Sequence, residues 1–132
     1  MSTATRRLHR YLEDELEDCR PEDVEDRIED LDTLETVLSA DRIQTDLDVL
    51  AALANETRYK LLRLLVAAEG DLCVCELNAM VSVSESAVSH ALSDLTEAGL
   101  ADRHKDGRWR KYRASNGAVA LLTLLDGVVE DE

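Results

Sequence analysis

Phenylalanine is absent from this chain of 132 residues, and one Trp with three Tyr completes its aromatic content. A ring-stacked core is thereby excluded. Leu, Val and Ala must fill the interior, and 45% apolar residues over one domain's length are enough to do so. Lysine is also scarce, with only three, so the basic side chains are mostly Arg. Long apolar runs are missing: Ala118–Leu122, continued through Thr123 to Leu125, is far too short to span a bilayer, which argues against a membrane role. Met1–Arg10 carries charge but leads into Tyr-Leu-Glu-Asp-Glu rather than an apolar segment, so a secretory leader is not expected and the cytoplasm is the expected location. No Walker loop, dinucleotide fingerprint or nucleophile elbow occurs, and the chain reads as a non-enzyme. Three cysteines in such a setting argue for free thiols or metal ligands over a disulfide framework.

What is abundant is acid. The formal net charge is −14, unevenly spread. Residues 1–50 hold sixteen acids and six bases, whereas Arg103–Arg113 holds six bases against the single acid Asp106. The overall sign argues against a nonspecific DNA coat, and the local sign allows one positive contact surface. Abundant acid with little Lys also suits a protein working in high salt. There, phosphate attraction is weakened, and base contacts and dimer geometry carry more of the recognition.

Periodicity divides the chain into an acidic helical extension, 1–45, and a domain, 46–132. Leu8, Tyr11, Leu12 and Leu16 follow helical spacing, as do Val24, Ile28, Leu31, Leu34 and Leu38, with Pro21 suited to the first turn of the second helix. Denser burial is expected from Leu47, Val49, Leu50 and Leu53 onward. Asn55 is placed to cap a helix from Glu56 to about Ala68, with Gly70 as its stop. A short helix is expected from Asp71 or Leu72 to Val81, a turn over Ser82–Ser84, and a second helix from Glu85 to Ala98 ended by Gly99.

That order is a helix-turn-helix. Ala87, Val88, Ala91, Leu92 and Leu95 face inward in it, while Ser84, Ser86, Ser89, His90 and Ser93 face outward. Small hydroxyls and one His can approach base edges and phosphates in a major groove. Asp106-Gly107 between Ala101–Lys105 and Arg108–Arg113 signals a two-residue hairpin, a wing carrying Arg103, Lys105, Arg108, Arg110, Lys111 and Arg113. Gly117 to Val129 reads as a last helix whose stripe (Val119, Leu122, Leu125, Val129) is apolar enough for dimer burial. The expected fold is mainly α with a small β-hairpin wing, a dimeric winged helix-turn-helix.

From Leu47 to Leu125 the sequence resembles the ArsR/SmtB family of winged-helix metal-sensing repressors. Leu53-Ala-Asn-Glu-Thr-Arg-Tyr-Lys-Leu-Leu-Arg-Leu-Leu65 is similar to the family's opening helices, Ser84-Glu-Ser-Ala-Val-Ser-His-Ala-Leu92 to its recognition helix, and Gly107-Arg-Trp-Arg-Lys-Tyr112 to its wing. The resemblance implies a homodimer on double-stranded operator DNA that leaves it when an inducer binds. Cys73-Val-Cys75 matches the family's thiolate box, which in arsenic-responsive members commonly includes a further Cys where this chain has Asn78. As(III) prefers three thiolates, so Cys19 is the remaining candidate beside Cys73 and Cys75, from the same subunit or its partner. The last helix has no His, so the family's C-terminal zinc site is missing, and ligand type favours soft ions, As(III) or Sb(III) with Cd and Pb as alternatives. Residues i and i+2 of a regular helix lie about 200° apart. If both thiols sit in the helix, its first turn must unwind for one ion to reach them. A thiol redox switch on the same scaffold and a protein-interaction module without a DNA site are the competing functions. The competing reading of Cys73 and Cys75 is that they are small buried hydrophobes, a role free Cys commonly plays; spacing and context favour the ligand reading.

Overall fold

The computed structural model describes residues 3–16 and 20–130. Its contacts fall into two compact units, 1–43 and 44–132.

In the first unit, α1 (Thr3–Glu15) and α2 (Pro21–Glu35) bury Leu12 and Val24. Pro21 opens α2, where a missing N–H costs nothing. The Asp23 carboxylate turns back to accept from the Arg20 N–H at 3.1 Å, satisfying a donor ahead of the helix. The apolar stripe is only partly used: Leu34, Val37 and Leu38 are exposed, and α2 ends before the last two.

Helix α3 (Ala40–Leu53) starts at Ser39, whose Oγ accepts from the Arg42 N–H at 3.1 Å. The dense burial expected from Leu47 onward begins only in the following helix, at Leu61, Leu62 and Leu65. No residue of α3 is buried, Leu47 and Leu50 are about half exposed, and only Val49, Ala52 and Leu53 lean on the core. The core belongs instead to α4 (Glu56–Ala67), α5 (Val74–Met80), α6 (Glu85–Glu97) and α7 (Asn116–Glu130). Leu61, Leu62, Leu65, Leu77, Val88, Leu92, Leu95 and Leu122 meet there with Tyr112. Asn55 caps α4 as expected, its Oδ1 accepting from the Arg58 N–H at 3.0 Å. Gly70 plays no part in ending that helix, whose C-cap is Ala68 in extended conformation.

Two local expectations are corrected. Leu72 and Cys73 are not helical: they form β1, which pairs antiparallel with β3 (Trp109–Ala114) at Leu72↔Tyr112 and Cys73↔Lys111. The wing is therefore a three-stranded antiparallel sheet in the order β1-β3-β2, with β2 at Ala101–Asp106, rather than a lone hairpin. Asp106 also pairs with Trp109, so the two-residue turn is Gly107-Arg108, one residue later than expected. Gly107 at φ +64° takes the first turn position, where a left-handed backbone matches the twist of the strands.

Helix α6 ends in a Schellman arrangement. Gly99 at φ +77° donates to the Thr96 carbonyl at 3.0 Å, and Leu100 donates to that of Leu95 at 2.9 Å. No neighbour would obstruct a Cβ on either Gly99 or Gly70. Only Gly99 has the left-handed φ, so Gly99→Ala should lower unfolding free energy by about 1 kcal/mol while Gly70→Ala leaves it level or slightly higher. Urea titration of both variants checks the contrast.

Candidate nucleic-acid interface and thiol cleft

The Ser84 Oγ accepts from the Ala87 N–H at 3.1 Å and caps α6, which leaves its O–H proton and one lone pair for an outside partner. Beyond this cap Val88, Ala91, Leu92 and Leu95 are buried and Ala87 is half-buried. Ser86, Ser89, His90 and Ser93 lie on the open face, as their spacing predicts. The amphipathic pattern holds because α6 rests on both α4 and α5.

The wing's basic residues are sorted by strand pairing, since directly opposed residues share a face. Arg103 opposes the buried Tyr112, and Lys105 opposes Arg110. These three cations, with His104, line an open concavity of about 400 Å³. No described residue forms an ion pair with Arg103, Lys105 or Arg110. Lys111 differs: its Nζ lies 3.0 Å from the Asp106 Oδ2. That hydrogen bond and the aspartate charge raise the Lys111 pKa, so it stays a cation but is partly neutralised. Arg108 at the tip stacks over Trp109 at 4.9 Å. Arg113 opposes Asp102.

Cys73 ends β1 and is also the N-cap of α5, with an extended backbone at φ −84° and ψ 163°. The sulfur accepts from the Glu76 N–H at 3.4 Å, and the Glu76 carboxylate accepts from the Cys73 N–H at 3.0 Å. This reciprocal capping box has a cysteine sulfur in the place usually taken by a hydroxyl. Cys75 follows one turn position inside the helix. Because only one of the two is helical, their sulfurs meet without any unwinding of α5. The expected need for a frayed helix start is thus removed. The expectation of free thiols is corrected as well: the structure pairs Cys73 with Cys75 as a disulfide, the bridge being purely local. Cys19, the proposed third ligand, lies outside the described residues. Among those described, no group of three or more His, Cys, Asp and Glu is placed to hold a metal ion. Asn78, at the position of the family's further Cys, keeps a buried Oδ1 with no hydrogen-bond partner.

Cys73, Val74 and Cys75 line a cleft of about 250 Å³ with Glu85 and Ser89 of α6 and Arg108, Trp109 and Arg110 of the wing tip. Spacing along the sequence gave no sign of this meeting. The pairing of β1 with β3 creates it, by carrying the cysteines alongside the tip half of β3. A second contact ties the same corner together: the His104 Nε2 lies 2.8 Å from the Asp71 Oδ2, linking β2 to the residue ahead of β1.

Residues 55–103 match the model of the bacterial regulatory protein, arsR family. A candidate arsenical resistance operon repressor of Halobacterium salinarum is 49% identical over 125 residues, spanning 95% of this chain and 97% of that protein. This chain belongs to the ArsR family. A second Halobacterium salinarum protein of the same description, ArsR2, is 49% identical over 89 residues, or 67% of this chain and 75% of the relative. The homodimeric winged helix-turn-helix DNA-binding domain of a Mycobacterium bovis protein superposes with a TM-score of 0.60 at 30% identity, covering 70% of this chain and 84% of that one. The protein is thus a transcriptional repressor of the arsenical-resistance type within the ArsR family, and not an enzyme. Among the described residues no helix is long and apolar enough to cross a membrane.

The thiol's capping role predicts a graded response to substitution. Cys73→Ser keeps an N-cap acceptor and should leave unfolding free energy nearly level, whereas Cys73→Ala should cost about 1 kcal/mol. Thermal unfolding of both variants in reductant provides the comparison.

Proposed function

We propose that this repressor binds a two-fold operator as a homodimer and is released when As(III) or Sb(III) binds the thiolates of Cys73 and Cys75. The observation that carries the reading is the shared cleft: the two sulfurs, the first turns of α6 and the tip of the wing line one concavity. An ion bound there lies directly against both DNA-reading elements. Cys73 also belongs to the sheet through its pairing with Lys111, so force on its sulfur passes to the wing. Two thiolates are soft donors, which favour As(III), Sb(III), Cd or Pb over harder ions. The preference of As(III) for three thiolates keeps Cys19 in the proposal, from either subunit, and reduced thiols fit a cytoplasmic location. A coupling free energy of roughly 3 kcal/mol would lower operator affinity more than a hundredfold.

For the dimer, support comes from the apolar faces that one chain leaves open. Leu47 and Leu50 of α3 are exposed, as are Leu124, Val128 and Val129 of α7. A second copy covering them would set two α6 helices on half-sites about 34 Å apart. In each half-site Ser86, Ser89, His90 and Ser93 would read base edges and phosphates, while Arg103, Lys105, Arg108 and Arg110 contact the backbone. Residues 1–45 stand outside this machinery as an acidic extension. A redox reading draws on the Cys73–Cys75 bridge. Two thiols would lose two protons and two electrons to a peroxide or disulfide oxidant, closing the same cleft without a metal.

Trp109, the only tryptophan, lines the cleft and gives the test its signal. Reduced protein titrated with arsenite or antimonite should change its Trp109 fluorescence in step with release of operator duplex. Cys73→Ser/Cys75→Ser should bind the duplex normally and ignore both ions; release like that of the parent would sink the sensor reading. Peroxide-driven release in metal-free buffer, reversed by dithiol, would transfer the function to redox. On the DNA side, Arg110→Ala should reduce the slope of log affinity against log salt by about 1 for each phosphate that Arg110 neutralises. Lys111→Ala should reduce it less, because Asp106 already shares its charge.

A further inference from the structure

Arg58 makes contacts that neither the thiol cleft nor the DNA surface accounts for. From the first turn of α4 its Nε donates to the Ala52 carbonyl at 2.6 Å, and one terminal nitrogen donates to that of Ala51 at 3.3 Å. These carbonyls lie in the last turn of α3, where the helix dipole favours a cation. The other terminal nitrogen reaches the Asp94 Oδ2 on α6 at 3.4 Å. One planar group thus grips the end of α3 and the reading helix together. Lys could not do this, having a single point of charge where the guanidinium offers a fork. The linkage matters because α3 buries none of its own residues and presents Leu47 and Leu50 outward.

We infer that Arg58 and Asp94 are positioning residues for operator recognition, fixing α6 to the helix whose exposed face meets the second copy and so setting the distance between the two recognition helices. This rests on the homodimeric DNA-binding reading above. The Arg58 and Asp94 side chains are 24% and 47% exposed, so solvent screens the pair and its removal should not unfold the domain. Each copy biases the helix position by about threefold, and the two factors multiply in the dimer, giving a loss of about tenfold in operator affinity.

The sign of the effect separates positioning from bulk charge. Asp94 is an acid on the DNA-reading helix, so removing it should tighten binding to phosphate if charge alone matters. Positioning demands the reverse.

The test uses the full-length chain and a duplex that the parent selects from a random pool, together with the same duplex lengthened by one base pair between half-sites. Asp94→Asn should bind the selected duplex about tenfold more weakly, with parental thermal stability and dimer dissociation constant. It should also lose much of the parent's discrimination against the lengthened duplex. Asp94→Glu, which keeps a carboxylate near the guanidinium, should restore most of both, and Arg58→Lys should behave like Asp94→Asn. Equal or tighter binding by Asp94→Asn overturns the inference. So does weaker binding with unchanged spacing discrimination, or a drop in affinity matched by a fall in thermal stability. If the parent selects no two-fold duplex, the failure belongs to the DNA-binding reading and removes the inference with it.

Discussion

Two backbone pairs, Leu72 with Tyr112 and Cys73 with Lys111, decide how the rest of this molecule is connected. Without them, the residues ahead of α5 would continue its helix backward, and the sulfurs would diverge around the helix axis. With them, Leu72 joins Tyr112 against the core, Cys73 becomes an extended cap, and the wing gains a third strand. The pairing also ties Cys73 to both of its neighbouring elements. A displaced Cys73 disturbs β3 through the sheet and α5 through its cap. Of these, α5 packs on α6, and β3 reaches it through β2, which also packs on α6.

Charge is distributed to suit the same arrangement. A chain of net charge −14 carries one patch in which Arg103, Lys105 and Arg110 have no carboxylate partner among the described residues, while Lys111 has one, and on the proposed reading this patch meets the DNA. The overall repulsion disfavours indiscriminate binding, and the guanidinium groups of the patch make their attraction local. In high salt this attraction shrinks further, leaving discrimination to helix position and groove fit. That places weight on contacts such as those of Arg58, which act on geometry.

Much of the fold was legible because its determinants are local. Asn55 and Ser84 announce helix starts, Gly99 a left-handed stop, and the 3.6-residue stripe of α6 its buried side. The errors have one cause: non-local pairing overrides local pattern. Leu72-Cys73 reads as the first turn of a helix because its partner strand lies almost forty residues away. The turn slips from Asp106-Gly107 to Gly107-Arg108 because Asp106 can pair with Trp109. Leu47 and Leu50 looked like core because periodicity reports an apolar face but not what covers it. The same limit applies to the site. Sequence supplied the thiols, the reading helix and the wing as separate motifs, but only the folded chain places all three around one cleft. Cys19 lies outside the described residues.

The uncovered apolar side of α3 and α7 has a consequence for the level at which such a protein must be kept. When two copies are needed to shelter those residues, folding and association become one equilibrium, and subunit abundance enters the stability of every molecule. Halving the number of copies would then lower promoter occupancy more than twofold, because dimer formation depends on the square of free monomer. Control of such a promoter lies partly in gene dosage and synthesis rate.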